Sequence, residues 1–329
     1  MGLGDDLYFQ ALTIKAKNFL MACYVLHLAT GNTLLCTSIK SGTMALYLAA
    51  AVHHFTAMGY PDPTKDSNHR KFHLVEAILL EAKRWESVPD RKEPVTWDMI
   101  HWLMRRAAGQ PLVSLDAAMT DWLVLGMYAG FRISEWATPN SYQSPQVFQL
   151  ARDGSCLAIN ATDVVLSPPT ATTLTVTIRW RWQKNGQNGQ RISFCATPNH
   201  PDRCPWAAAK RILRRAQLLN ILPTSPLSWF LDGSTPKLIM DSHITATLRE
   251  AAAGAHNITD PEVLSTWTSH SIRVGACVAL HEAGAEGTFL KKRLRWESDT
   301  FMLYLRNTPK LAAQHARLLE TDPVAFSQL

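Results

Sequence analysis

Tyr304 is the only tyrosine after Tyr142, so it is the only phenol in the last 187 residues of the 329-residue chain. It lies eight residues after Trp296, in Leu294-Arg-Trp-Glu-Ser-Asp-Thr-Phe-Met-Leu-Tyr304. Upstream stand His270-Ser-Ile-Arg273, Lys184 and Gly130-Phe-Arg132-Ile-Ser-Glu135. An arginine presents a planar fork of donors that stays charged, which suits two phosphate oxygens at once. A histidine can take a phenolic proton near neutral pH, and an activated side-chain oxygen can then attack covalently. Two arginines, a histidine and a late tyrosine are the parts needed to attack a phosphodiester with a phenolic oxygen. Each motif alone has a plainer reading. His270 and Arg273 fit a capped helix with a buried histidine, Arg132 and Glu135 a structural salt bridge, Lys184 a solubilising turn, and Tyr304 a core aromatic with a tethered hydroxyl.

These residues need elements to hold them. Leu115–Ala129 reads as a helix stopped by Gly130, which delivers Arg132 just past a helix end. Thr172–Gln183 is a long β-branched and aromatic run, Arg191–Phe194 follows a turn at Asn185–Gly189, and Ala158–Val165 is a shorter strand candidate. Lys184 therefore sits at a hairpin tip. Ser269 is a candidate cap for a helix through His281, with His270 and Arg273 on one face of its first turn, where free N–H groups attract anions. Helices are also predicted over Trp97–Ala107 behind Thr96, Trp206–Leu219, His243–Ala253 and Phe301–Leu305, with a helical tail near Leu311–Leu319. The first ~90 residues read as helices at Asp6–Leu28, Ser41–Met58 and about Lys71–Trp85. Ser87–Pro94, polar with two prolines, is the best break. The expected organisation is a helical domain at 1–90, a linker at 91–96 and a mixed α+β domain at 97–329. The fold class is then mainly α with a small antiparallel β-sheet.

Composition agrees with a globular chain: 47% apolar and 18% charged, with no run long enough for a membrane span. The opening Met1-Gly-Leu-Gly-Asp-Asp lacks the pattern of a secretory signal, and six scattered cysteines read as free thiols of an intracellular protein. The net charge of +6 is unevenly spread: residues 171–215 hold nine Lys/Arg and one acid, Asp202. Such a patch favours a polyanion, because neutralising phosphates releases counterions, although a solvated basic face fits equally. Arg179, Arg181 and Arg191 are the candidate DNA-backbone contacts. Cys195, His200 and Cys204 invite a zinc reading, but their spacing lacks a fourth ligand, so no metal is expected.

In this order and these contexts the motifs resemble the tyrosine recombinase (phage integrase) family, and the resemblance reaches most of the chain. Gly130–Glu135 matches the family's Gly-[Leu/Phe]-Arg-x-Ser-Glu motif. Lys184 falls on its β-hairpin lysine, His270 and Arg273 on its His-x-x-Arg, Trp296 on its His-or-Trp position and Tyr304 on its nucleophile. The region 1–90 is similar to the family's core-binding domain in helix pattern. Arg295-Trp-x-Ser-Asp-x-Phe-x-x-Tyr304-Leu-Arg306 and Asp202-Arg-Cys-Pro205 look closer to eukaryotic Crypton-like and DIRS-like mobile-element members than to bacterial ones.

The resemblance implies cleavage and rejoining of double-stranded DNA through a 3′-phosphotyrosyl bond at Tyr304. Arg132 and Arg273 would stabilise the phosphorane, and Lys184 would protonate the 5′ oxygen. His270 would act as a base or phosphate donor, Trp296 would pack the site and donate its N–H, and Glu135 would support them. It implies a homo-tetramer working through a Holliday junction for mobile-element integration or excision, with no metal and no small-molecule cofactor, and a nuclear location if the host is eukaryotic. The tail from Leu311 to Leu329 is a candidate for docking on a neighbouring protomer. Two other readings carry the same residues: a domesticated DNA-binding protein that no longer cleaves, and a type IB topoisomerase-like enzyme.

Overall fold

Side-chain caps decide where many of the helices begin. The structure, a computed structural model, describes residues 8–30, 39–86, 91–138, 157–183 and 186–305, with a few single positions between 312 and 320. The chain divides into two units, Met1–Asp90 and Arg91–Leu329.

The first unit is helical: α1 (Ile14–Ala29), α2 (Ser41–Ala57) and α3 (His73–Arg84). Helix α1 starts later than Asp6, because the Thr13 hydroxyl accepts the Ala16 N–H at 3.3 Å and fixes the first turn there. Met21 and Val25 of α1 pack on Phe72 and Val75 around the start of α3. Tyr8 stacks on Tyr60 at 3.9 Å between ring centres.

The second unit holds the motifs. Its residues 91–96 run extended, and Val95 is buried and donates to the Ser271 carbonyl at 3.1 Å. Thr96 caps α4 (Trp97–Ala107) and Ser114 caps α5 (Leu115–Ala129), each through its side-chain oxygen. Helix α5 is buried over most of its surface and lies among the other helices, as expected of a helix apolar all round. Gly130 ends it in the left-handed conformation at φ +54, closing N–H to the Gly126 carbonyl at 2.7 Å. One more helical turn, α6 (Ile133–Trp136), follows.

The antiparallel sheet runs in the order β1 (Val164–Leu166), β2 (Thr175–Trp180), β3 (Gln190–Cys195). Val176, Ile178 and Trp180 alternate inward along β2, facing Phe194 and Ile192 across the register. The strand expected from Ala158 begins only at Val164, because Asn160 caps a short 3-10 turn over Ala161–Asp163. Helix α7 (Pro205–Leu218) leads to a second hairpin, β4 (Trp229–Asp232) with β5 (Thr235–Leu238). Helices α8 (Asp241–His256), α9 (Pro261–Leu264), α10 (Ser271–Glu282) and α11 (Gly287–Leu294) complete the unit before a 3-10 segment, Asp299–Tyr304.

Thus the protein is mainly helical with small antiparallel sheets. Its core gathers Trp122, Phe131, Trp136 and Trp180, with Trp122 and Trp136 stacked at 4.8 Å. Burial of each such side chain contributes about 1.5–3 kcal/mol. Among the described residues, no helix is long and apolar enough to cross a membrane. Cys23, Cys195, Cys204 and Cys277 are free thiols, and the Cys204 sulfur caps α7 by accepting the Ala207 N–H at 3.4 Å.

Candidate active site

Burial of Phe131 aims Arg132. Phe131 packs between Trp122 and Trp180, at ring distances of 5.8 and 6.1 Å, and the chain's alternation then turns Arg132 outward. Glu135, 3% exposed, takes both the Arg132 backbone N–H at 3.0 Å and its guanidinium Nη1 at 3.1 Å. The carboxylate therefore fixes the start of α6 and the direction of the side chain together.

Helix α10 starts at Ser271, with His270 at the cap position and no side-chain cap there; Ser269, expected to cap it, does not. Instead Ser271 Oγ accepts the Thr268 N–H at 3.0 Å. The three-residue spacing brings His270 and Arg273 to one side. Arg273 is 1% exposed, and its Nη1 donates to the Gly130 carbonyl at 2.5 Å. Its Nη2 is buried and has no partner among the described residues, nor has Arg273 an ion-pair partner among them. Burial, with Arg132 nearby, pushes the Arg273 guanidinium down to about 9, still charged at neutral pH. Lone buried charges are costly, so an unfilled donor here marks a place for an anion.

Tyr304 ends the 3-10 segment, not an α-helix as predicted. Ser298 starts this stretch through an Oγ that accepts the Thr300 N–H at 3.4 Å, and its six residues are long for the tighter coil. Residues three apart eclipse in such a coil, so buried Phe301 and half-buried Tyr304 share the inner side, while Met302 and Leu303 are exposed. The Tyr304 hydroxyl lies 2.9 Å from His270 Nε2. Trp296 stands 5.3 Å from the Tyr304 ring and lies under the Arg273 guanidinium, which is 4.0 Å from its ring centre. Its buried indole N–H has no partner among the described residues.

The electrostatics sort the roles these groups can take. Burial raises the Tyr304 phenol above its ordinary value, while Arg273 and Arg132 pull it back. Burial first, then Arg273, Arg132 and Lys92, lower His270 below its usual value, so the ring is neutral at pH 7 and can accept a proton. His270 stands at an exposed rim, so solvent moderates this shift. A neutral base on a reluctant phenol, beside unfilled guanidinium and indole donors, can activate an oxygen nucleophile against an anionic electrophile.

The structure thus brings Arg132, Glu135, His270, Arg273, Trp296 and Tyr304 together. Lys184 lies outside the described residues, as does nearly all of the tail 311–329. Arg179 and Arg181 are elsewhere and occupied: both pair with fully buried Asp163, at 2.8 and 3.0 Å. The donors expected to meet DNA serve the sheet in this way, whereas Arg191, opposite Arg179 across the register, is exposed on β3.

Arg295, and Gln183 which accepts from it, were not singled out as site residues from sequence. Arg295 follows α11 in the left-handed conformation at φ +58, which costs a residue with a Cβ about 1–2 kcal/mol. Its buried guanidinium donates to Gln183 Oε1 (3.1 Å), the Ala129 carbonyl (2.7 Å) and Glu135 Oε2 (2.6 Å), and lies 3.9 Å from the Trp180 ring centre. An arginine in a helix's last turn ordinarily reads as dipole compensation, and only the neighbouring Trp296 pointed to more.

No protein-family model and no curated protein matches the sequence. Among solved structures, the chain is similar to the XerH site-specific recombinase bound to palindromic difH substrate in a post-cleavage complex. That likeness is at 12% identity over 92% of this chain and 72% of that one, with a TM-score of 0.52. It is also similar to the Tn1549 transposon integrase in complex with transposon right end DNA, at 12% identity over 92% and 85% of the two chains, with a TM-score of 0.50. The chain therefore has the fold of these tyrosine recombinases and integrases.

Proposed function

We propose that this protein is a tyrosine-type site-specific DNA recombinase that cleaves and rejoins DNA through a 3′-phosphotyrosyl intermediate. The observation that carries the reading is the Tyr304 hydroxyl 2.9 Å from His270 Nε2, beside a buried Arg273 whose Nη2 has no partner among the described residues. His270 takes the phenolic proton as Tyr304 bonds to phosphorus and the bond to the 5′ oxygen breaks. Lys184 gives that oxygen its proton, so a 5′-hydroxyl departs. Arg132, Arg273 and the Trp296 N–H hold the oxygens of the phosphorane. The phosphotyrosyl bond keeps the energy of the broken ester, so a 5′-hydroxyl can reverse the step without a nucleotide cofactor.

The finer reading is of a mobile-element enzyme for integration or excision, acting as a tetramer on two duplexes through a Holliday junction, with its 1–90 region clamping DNA. The mobile-element part rests on the segment Arg295–Arg306 and on Asp202–Pro205, which look Crypton-like and DIRS-like, and the rest on the resemblance to the tyrosine recombinase family. In this reading the protein works in the nucleus of a eukaryotic host. The test is incubation with nicked duplexes carrying candidate sites. A denaturation-resistant protein–DNA adduct that Tyr304→Phe abolishes is expected. Tight binding to such duplexes with no adduct would favour a non-cleaving DNA-binding protein.

A further inference from the structure

We propose that Arg295 is a positioning residue that holds the two phosphate-facing arginines and the end of the β2–β3 hairpin in one geometry. The proposal rests on the recombinase reading for its catalytic consequence, but not for its anion-binding one. The C-terminal carbonyls of α5 are the frame. Ala129 accepts from Arg295 and the next residue, Gly130, accepts from Arg273, at 2.7 and 2.5 Å. Two buried guanidiniums thus sit side by side on the negative end of one helix.

Glu135 is the second anchor. Its Oε2 receives both Arg295 Nη2 and the Arg132 backbone N–H, while Oε1 receives Arg132 Nη1. Arg295 therefore fixes the carboxylate that orients Arg132. It also holds one carboxylate oxygen that could otherwise turn to Arg273. The third anchor is Gln183, the residue before Lys184, whose side-chain oxygen takes Arg295 Nε at 3.1 Å. The fourth is its own chain neighbour Trp296, whose ring covers Arg273 at 4.0 Å.

Gly would suit the φ +58 backbone of Arg295 better than arginine does. A conformation that disfavours the side chain is kept here together with a fully buried charge, and the contacts with Ala129, Glu135, Gln183 and the Trp180 ring account for both. Lysine could not replace it, because a single ammonium cannot reach three acceptors in a planar fork.

Two variants test this, Arg295→Gly and Arg295→Lys, in the full chain. The first readout needs no turnover: inorganic phosphate is titrated while the ring nitrogens of His270 are followed by NMR. Phosphate affinity is expected to fall about tenfold in both variants. Unchanged affinity in Arg295→Gly, or no phosphate binding by the parent protein, would overturn the proposal.

The second readout is the single-turnover rate constant for adduct formation, separated from its amplitude. Misfolded molecules lower the amplitude, whereas misplaced arginines lower the rate constant, here by about 100-fold. Adding Glu135→Gln to Arg295→Gly should slow the step little further, because both changes break one chain of contacts. A rate constant within about threefold of the parent, with only the amplitude lost, would make Arg295 a structural staple. An absence of adduct in the parent protein would instead refute the recombinase reading, and the phosphate titration would still decide the role of Arg295.

Discussion

Asp121 and Glu135 are both buried carboxylates beside α5 that gather arginines, yet they are built to different ends. Asp121 takes Arg211 at 2.6 Å and Arg215 at 2.5 Å, and Arg215 Nε reaches the Leu112 carbonyl at 2.7 Å. One guanidinium is buried and bonded through two nitrogens, although its Nη1 has no partner among the described residues, and the other faces solvent with its side chain 42% exposed. Glu135 has Arg132 and Arg295 in contact and Arg273 close by, so three guanidiniums surround one carboxylate. Arg273, almost fully buried, is held by the Gly130 carbonyl and keeps an unfilled donor. The first cluster joins α5 to α7 through a buried Asp121–Arg215 pair, and only Arg211 reaches solvent. The second concentrates positive charge where water is scarce, next to a tyrosine and a neutral histidine. Both clusters leave one buried guanidinium nitrogen without a partner among the described residues, and the second differs in standing beside the Tyr304 hydroxyl and His270.

The sharpest way to break this contrast is to truncate the matching arginine on each side. Arg215→Ala removes the buried partner of Asp121 and leaves it only the half-exposed Arg211, so it should cost about 3 kcal/mol of stability in denaturant titration, with the cleavage rate constant of the folded fraction unchanged. Arg273→Ala should do the reverse. It should slow single-turnover cleavage by about 100–1,000-fold with little change in Tm, because a desolvated, unpaired charge is removed. Equal stability losses in the two variants would erase the distinction.

His270 sharpens the reactive side. The cleavage rate should fall as pH drops through the depressed His270 value, since only the neutral ring accepts the phenolic proton. His270→Ala should be about 100-fold slower and lose that acid limb. An unchanged acid limb in the variant would assign it to another group.

Gly275 probes the packing of α10 against the backbone at Val95. A Cβ there would lie 2.4 Å from the Val95 carbonyl oxygen, a backbone atom that cannot step aside. Gly275→Ala should therefore cost about 1–3 kcal/mol of stability by denaturant titration. The smallest effect belongs to the sheet. Arg191→Ala should leave stability within about 0.5 kcal/mol and reduce the salt slope of DNA binding by about one. A larger fall in slope on Arg179→Ala than on Arg191→Ala would show that the Asp163 pair opens to DNA.

Local chemistry explains what the sequence revealed. The start of α4 and the end of α5 were legible because Thr96 and Gly130 act on their own backbone neighbours. Arg132 with Glu135, and His270 with Arg273, were legible because three-residue spacing makes each pair adjacent. The β4–β5 hairpin was not legible, because Thr235-Pro-Lys-Leu lacks the apolar alternation of a strand and carries a proline. Helix α11 is short and rich in lysine and arginine, with no apolar stripe long enough to stand out. Arg295 escaped notice because its partners lie 112 to 166 residues away and are defined only by the fold. Arg179 and Arg181 were read as surface cations because nothing local announces buried Asp163, which is 16 and 18 residues away.

In the proposed reaction the Tyr304 hydroxyl oxygen forms the covalent bond to DNA phosphorus. The most direct test of this bond is mass spectrometry of the proteolysed adduct formed on a nicked duplex. The account predicts one nucleotide-bearing peptide, containing Tyr304, linked through a 3′-phosphate, with a free 5′-hydroxyl on the released strand. A linkage at any other residue, or a 5′-phosphate on the protein, would contradict it.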